Sequence, residues 1–185
     1  MSDAGLDAVV LAAGRLRAQD AQRFGVEVKA LLPDAQGTTL LRRLMHALRG
    51  APGIARIIVV GPKAAHGEAA EADVWIPERA TGEENALAGI EQVRAAYTLL
   101  CASDLPFVCG DHIADFLARA AGSDVAYPVF ERSEFLAAFP GGRTRFARLA
   151  KTYWTGGSLC YMETALALRN APLVRRAFSS RKSLP

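Results

Sequence analysis

The chain has 185 residues, of which 51% are hydrophobic and 22% are charged, and its formal net charge is +3. This composition is typical of a soluble globular protein and excludes wholesale disorder, and the length suits one ordinary domain. So small a charge gives no support for a nucleic-acid partner, and no apolar run reaches the roughly 18 residues that a membrane-spanning helix needs.

The cysteines and the first residues indicate a compartment. Cys101, Cys109 and Cys160 are an odd number and form no CxxC pair, so disulfides are not expected and a reducing environment is favoured. The first seven residues have no basic segment, so no secretory signal is expected either. Together these features predict a cytoplasmic protein.

Short apolar runs alternate with helical patterns along the chain. The runs that predict strands are 8–13, 56–60, 73–76, 97–101, 124–130 and 158–162. The patterns that predict helices are 39–48, 83–96, 111–121 and 164–178, the last interrupted by Pro172. The alternation predicts an α/β fold with a mostly parallel sheet, whose ligands lie beyond the carboxyl ends of the strands.

The domain organisation follows from the absence of any long linker or repeat. We expect a single domain over residues 1–185, in which 163–185 form a helical basic tail. The basic residues of that tail fit a solvated helix face, or a surface for an anionic substrate or partner.

The first strand leads directly into a loop of small residues. The end of the strand and the loop comprise Leu11, Ala12, Ala13, Gly14 and Arg15, of which Ala12, Ala13 and Gly14 are small. Small residues at a strand end let backbone N–H groups approach a bulky anion such as a phosphate. A GxGxxG dinucleotide loop and a GxxxxGK[ST] P-loop are both absent, so those two phosphate sites are unsupported. By itself the pattern also fits a tight turn that serves packing.

Two charged residues are further candidates for a site at the carboxyl ends of the predicted strands. Lys29, in the run KALLP, can place an ammonium on a transferring phosphate, although alone it also fits a solvated lysine. Asp104 directly follows the strand 97–101, where its carboxylate suits Mg²⁺, which takes one or two carboxylates together with substrate phosphates. The alternative is that Asp104 only caps the turn before Pro106.

The ordered set of LAAG, KALLP, a helix, RIIVVG and a strand ending in SDLPF resembles one family over roughly residues 7–162. It is similar to the molybdenum-cofactor guanylyl- and cytidylyltransferases, a type of NTP transferase. The resemblance implies the nucleotide-diphospho-sugar transferase (GT-A-like) fold, a three-layer α/β/α sandwich. It also implies a Mg²⁺-dependent nucleotidyltransferase whose partners are an NTP and a phosphorylated small-molecule acceptor, with no nucleic acid and no membrane.

The resemblance also implies roles for particular residues. Leu11 to Arg15 correspond to the phosphate loop, Lys29 to the lysine that contacts phosphate groups, and Asp104 to the metal-binding aspartate of an Asp-x-Pro motif. The segment from Gly82 to Asn85 corresponds to the part that reads the nucleobase. The segment 155–158 resembles the late segment that faces the acceptor.

The chain departs from the family pattern in its phosphate loop and in its metal carboxylates. Leu16 stands where the family has a small residue and Ala18 where it has an arginine. The cations that could replace that arginine are Arg15, Arg17 and Arg23. For a second metal carboxylate, Asp111 and Asp124 are candidates only because they follow Asp104 closely in sequence.

Two other functions stay open beside nucleotidyl transfer. A glycosyltransferase of the same fold would normally carry an Asp-x-Asp pair, whereas Ser103-Asp104-Leu105-Pro106 offers one aspartate. A catalytically impaired nucleotide-binding or regulatory module would explain the altered phosphate loop and the missing second carboxylate.

Overall fold

A computed structural model describes residues 5–180, and residues 179 and 180 by their backbone alone. The basic residues Arg181 and Lys182 of the expected tail lie outside the described residues. Within residues 5–180 the strands are β1 (Leu6–Leu11), β2 (Ile54–Gly61), β3 (Val74–Pro77), β4 (Tyr97–Ala102), β5 (Val125–Ala126), β6 (Val129–Glu131), β7 (Ala147–Leu149), β8 (Thr152–Gly156) and β9 (Leu159–Glu163). The α-helices of the same range are α1 (Ala18–Phe24), α2 (Leu40–Arg49), α3 (Gly82–Ile90), α4 (Gly110–Ala120), α5 (Arg132–Ala138), α6 (Thr164–Arg169) and α7 (Ala171–Ser180).

The central sheet has six strands in the order β3-β2-β1-β4-β9-β5. The first four are mutually parallel, and β9 runs antiparallel to both β4 and β5. Leu11 at the end of β1 pairs with Ala102 at the end of β4. The mostly parallel sheet is therefore confirmed, and the loops that follow β1 and β4 leave the sheet side by side.

Helices cover both faces of this sheet and make three layers. Val10 of β1 faces one apolar cluster, which includes residues of α2 and α4. The neighbouring Val9 faces a second cluster, which includes residues of α3 and α6. Because successive side chains of a strand point to opposite faces, one strand supplies both cores. The predicted α/β/α sandwich is confirmed.

Helix α2 illustrates why the layers form. Leu41, Leu44 and Leu48 recur at helical spacing and are completely buried against the sheet. The hydroxyl oxygen of Thr39 accepts a hydrogen bond from the Arg42 N–H, which caps the first turn. Both features are visible in the sequence.

A second, smaller sheet lies outside the sandwich. It is antiparallel, in the order β6-β8-β7, and α5 packs against it. All three residues of β7 are exposed, and α5 has no buried residue. None of β7, β8 and α5 is predicted from the sequence.

Three predicted elements depart from the structure by more than two residues at an end or are divided in two. The helix predicted over 83–96 ends at Ile90, because the chain then turns so that the Arg94 N–H donates to the buried carboxylate of Asp7. The strand predicted over 124–130 is divided at Tyr127 and Pro128 into β5 and β6, which belong to different sheets. The C-terminal helical pattern divides at Asn170, not at Pro172, which sits in the first turn of α7, where proline is tolerated.

No helix among residues 5–180 is both long enough and apolar enough to cross a membrane.

Candidate active site

The loops after β1, β2 and β4 meet at the carboxyl edge of the sheet. The Ala12 N–H donates to the Val60 carbonyl at 2.8 Å, and the Ser103 N–H donates to the Leu11 carbonyl at 3.3 Å. The loop after β1 is thus hydrogen-bonded to β2, and the loop after β4 is hydrogen-bonded to β1. The sequence-predicted loop of residues 11–15 therefore starts from a fixed position.

Lys29 and Asp104 are brought together at this edge. The chain returns to the loop after α1, where Arg15 and Val28 form an antiparallel bridge and the Lys29 N–H donates to the Gly14 carbonyl at 2.8 Å. The Lys29 Nζ then donates to Asp104 Oδ2 at 2.9 Å, across 75 residues of sequence. The two side chains are 43% and 34% exposed, so the ion pair is open to a ligand from solvent.

Gly14 lies beside this pair. A Cβ added to Gly14 would lie 3.5 Å from Lys29 Cδ, which is an ordinary van der Waals contact, and its φ is not positive. The packing of the protein itself therefore does not require glycine here. An exposed backbone without a side chain at this point leaves N–H groups accessible to an approaching anion.

Arg15 forms an ion pair that is not predicted from the sequence. Its Nη2 donates to Glu78 Oε1, and Glu78 follows β3 at the same edge. The signal that could have found Glu78 is its position two residues after the predicted strand 73–76. Of the other two candidate cations, Arg17 precedes α1 and Arg23 stacks over the ring of Phe24 at 5.2 Å.

The segment from Gly82 to Asn85 opens α3. Thr81 and Glu84 form a capping box, in which each side chain accepts from the other residue's backbone N–H. Asn85 is only 4% exposed, and its Oδ1 accepts a hydrogen bond from the Arg79 N–H at 2.6 Å. Asn85 thus orders the loop before α3 from within, and its role in nucleobase recognition stays a prediction.

The segment 155–158 reaches the same edge from the other side. The Ala102 N–H donates to the Ser158 carbonyl at 3.0 Å, which places this segment beside the end of β4. The backbone at Gly156 and Gly157 touches its neighbours closely, since added Cβ atoms would lie 2.5 Å from Tyr127 Oη and 2.7 Å from Pro128 Cγ. Glycine is therefore required here by packing.

Asp111 and Asp124, the candidates for a second metal ligand, lie in different parts of the fold. The Asp124 carbonyl accepts from the Glu163 N–H, and Glu163 pairs with Tyr97 at the start of β4, so Asp124 lies at the opposite edge of the sheet. Asp111 is in the first turn of α4, which begins against Gly50. Within residues 5–180 no group of three or more His, Cys, Asp or Glu side chains is arranged to hold a metal ion.

Two cysteines near the centre of the sheet are unsuited to nucleophilic chemistry. Cys101 is completely buried, and burial raises the pKa of its thiol far above neutrality. Burial also raises the pKa of Cys160 to about 11. Both thiols stay protonated at neutral pH, so they act as small apolar side chains.

The three-layer fold, in which the loops after β1 and β4 leave the same edge of the sheet, is that of the nucleotide-diphospho-sugar transferases. Residues 8–177 match the family model of the MobA-like NTP transferase domain, and the protein belongs to this family. It is therefore an enzyme of the nucleotidyltransferase class. The NTP transferase resemblance of the sequence is confirmed.

Solved structures agree with this assignment. A hypothetical transferase from Thermus thermophilus is 30% identical, with a TM-score of 0.81, covering 95% of this chain and 73% of that one. The 2-C-methyl-D-erythritol 4-phosphate cytidylyltransferase from Thermus thermophilus is 22% identical, with a TM-score of 0.60 and coverages of 96% and 77%. A CMP:2-keto-3-deoxy-manno-octonic acid synthetase complexed with CTP is 14% identical, with a TM-score of 0.64 and coverages of 95% and 83%. The last two share the fold. No curated protein sequence matches the chain significantly.

Proposed function

We propose that the protein is a Mg²⁺-dependent nucleotidyltransferase that moves an NMP group from an NTP to a phosphorylated small molecule and releases pyrophosphate. The observation that carries this proposal is the ion pair between Lys29 and Asp104, next to the open backbone of Gly14. A cation, a carboxylate and accessible loop amides at one sheet edge are the groups that phosphoryl chemistry requires.

The chemistry of the donor set fits Mg²⁺. This ion keeps several waters and takes one or two carboxylates together with substrate phosphates, so a single protein carboxylate is sufficient. Asp104 is the residue that would hold it, through the carboxylate oxygen that does not accept from Lys29. When bound, Mg²⁺ neutralises charge on the phosphates and orients them.

The chain's own residues position the reactants and offset charge. Loop amides from Ala13 to Arg15 would bind the triphosphate, and the Lys29 ammonium would stabilise the negative charge on the reacting phosphates. A phosphate oxygen of the acceptor attacks the α-phosphorus and forms the new P–O bond. The bond to the bridging oxygen breaks, and pyrophosphate leaves with that electron pair. Catalysis here is mainly positioning and electrostatics.

The kind of acceptor is suggested by the similar structures. The cytidylyltransferase from Thermus thermophilus is named for a phosphorylated substrate, and the octonic acid synthetase was solved with CTP. Neither name transfers its substrate to this chain at such low identity. They support an NTP and a small acceptor as the substrate class.

One observation favours a second candidate, a nucleotide-binding module without turnover. Arg15, which could replace the arginine missing at Ala18, is paired with Glu78, and this pairing reduces the charge available to a triphosphate. Nucleotide binding without product would then be expected. A glycosyltransferase is disfavoured, because only one carboxylate follows β4 before Pro106.

The experiment is a pyrophosphate-release assay of the purified protein. Each of ATP, CTP, GTP and UTP is incubated with Mg²⁺ and a panel of phosphorylated small molecules, and nucleotide affinity is measured in parallel by calorimetry. The proposal expects pyrophosphate with at least one pair of substrates. Tight nucleotide binding without pyrophosphate for any acceptor would support the binding module, and turnover of a nucleotide sugar would support the glycosyltransferase.

A further inference from the structure

We infer that the loop between α5 and β7 builds an acceptor-binding site, in which Arg143 binds a phosphate monoester and Phe107 packs against an apolar organic part of the same molecule. This inference rests on the proposed function and specifies its acceptor. The loop and Phe107 took no part in the site described above.

The loop is attached to the acceptor side of the sheet edge. Thr144 and Thr155 share a hydrogen bond of 3.1 Å between their hydroxyl oxygens, and the side chain of Thr155 is buried. Thr155 lies three residues before Ser158, whose carbonyl is bonded to the Ala102 N–H at the end of β4. Arg143, the neighbour of Thr144, is therefore carried by a fixed anchor near the carboxyl edge.

A second anchor connects the same loop to the segment that contains Asp104. The rings of Phe107 and Phe139 lie with their centroids 5.6 Å apart, and Phe107 follows Asp104 by three residues. The Gly142 N–H donates to the Phe139 carbonyl at 2.9 Å. A Cβ on Gly142 would lie 2.9 Å from that same oxygen, so the turn is tightly packed. The loop is thus held both at Thr155 and at Phe107.

Arg143 is the charged group of the proposed site. It is exposed and makes no hydrogen bond or ion pair with any residue from 5 to 180. Arg15 and Lys29, the cations of the candidate active site, are each paired with a carboxylate. A guanidinium presents parallel N–H groups that match two phosphate oxygens, so an unpaired Arg143 suits a phosphate monoester.

Phe107 is the apolar group of the proposed acceptor site. Its side chain is 71% exposed although it directly follows a buried strand and the Asp-Leu-Pro turn. Large exposed rings carry a solvation cost that a ligand's apolar surface would relieve. Small-molecule sites typically combine such a ring with a few polar groups that fix orientation. The chemistry points to a phosphate monoester with an apolar organic part.

The test compares phenyl phosphate with methyl phosphate, titrated into the protein without nucleotide and followed by NMR chemical shifts. We expect phenyl phosphate to bind more tightly. Arg143→Gln should weaken the binding of both esters by about tenfold, the loss expected for a charge-assisted hydrogen bond. Phe107→Ala should abolish the preference for the phenyl ester and leave methyl phosphate unchanged. The matched controls are Arg94→Gln, beside Asp7 at the opposite edge of the sheet, and Leu173→Ala, an exposed apolar side chain of α7.

Several results would overturn the inference. These are equal affinities for the two esters in the wild type, unchanged binding in Arg143→Gln, or an equal loss in Arg94→Gln. A sedimentation experiment in which Phe107→Ala dissociates a dimer would assign the ring to contact with a second copy instead. The KM for the acceptor and the affinity for Mg²⁺–NTP, measured on the same variants, distinguish a failure of this acceptor site from a failure of the proposed function. Ester binding without any pyrophosphate release contradicts only the proposed function, whereas turnover with an unchanged acceptor KM in Arg143→Gln contradicts only this site.

Discussion

The carboxyl edge of the central sheet and the small sheet outside it are built in different ways. At the edge, the loops after β1 and β4 are held by backbone hydrogen bonds to strands whose residues are almost fully buried. The small sheet has an entirely exposed β7, and α5 beside it buries no residue. Among residues 5–180, the contacts that link it to the segments at the edge include Tyr127–Gly157 and Phe107–Phe139.

This difference separates the two halves of the proposed reaction. The proposed nucleotide site, at the carboxyl edge, is positioned by strands of the buried core, so a change in those strands disturbs the whole fold. The acceptor side depends on a few side-chain contacts, so its shape can change without loss of the sandwich. One scaffold can therefore keep its nucleotide chemistry while its acceptor varies.

The largest expected contrast is in stability. Leu44→Ala in α2 removes a completely buried side chain from the packed core and should lower the free energy of unfolding by about 2–5 kcal/mol. Leu149→Ala in β7 changes a residue that is 55% exposed, so the loss should stay within about 0.5 kcal/mol. Urea denaturation of both variants measures the two values. Equal losses would mean that the small sheet is as tightly built as the core.

The next effect concerns turnover. Lys29→Met removes the ammonium assigned to the reacting phosphates, and we expect kcat to fall by about 10²–10³-fold, the usual loss for one electrostatic group in an active site. Nucleotide affinity should change much less, because the interaction strengthens in the transition state. Steady-state kinetics with the best substrate pair provides the measurement. Lys151→Met, in the turn between β7 and β8, is the control, and a wild-type kcat for Lys29→Met would make Lys29 a surface lysine.

The smallest of these effects is expected at α3. Asn85→Leu leaves the Arg79 N–H without its acceptor, which should cost about 1–3 kcal/mol in unfolding free energy. If residues 82–85 read the nucleobase, the preferred nucleotide should also lose affinity relative to the others. A competition assay across ATP, CTP, GTP and UTP on both proteins measures that preference. An identical order with equal affinities would place base recognition elsewhere.

The sequence predicted the sandwich because its signals are local and strong. Continuous apolar stretches such as Ile57 to Val60, within the predicted strand 56–60, identify buried parallel strands, and the spacing of Leu41, Leu44 and Leu48 identifies a helix that packs on them. The elements that were missed have no such pattern. Strands β7 and β8 are short and mostly exposed, so no alternation of buried and exposed residues marks them.

The candidate site was predictable to a similar extent. Residues that directly follow strands, such as Gly14 and Asp104, could be assigned to one edge by topology alone. Contacts that depend on loop paths could not be assigned, since nothing in the sequence fixes the direction of Arg15 toward Glu78 or the burial of Asn85. The loop that carries Arg143 was missed for the same reason, because it is held by Thr155 of the unpredicted β8 and by Phe139, which follows the unpredicted α5.

The central claim is that Asp104 is the metal-binding carboxylate of the nucleotide site. Its most direct test is the NTP affinity of Asp104→Asn with and without Mg²⁺, measured by calorimetry with the nucleotide that the wild type prefers. Asp115→Asn, an exposed carboxylate of α4 paired with Arg119, is the matched control. The account predicts that Asp104→Asn unfolds like the wild type but loses the Mg²⁺-dependent part of its nucleotide affinity, while Asp115→Asn keeps it. An Asp104→Asn protein that binds Mg²⁺–NTP as tightly as the wild type would contradict the account and reduce Asp104 to a turn cap and a partner for Lys29.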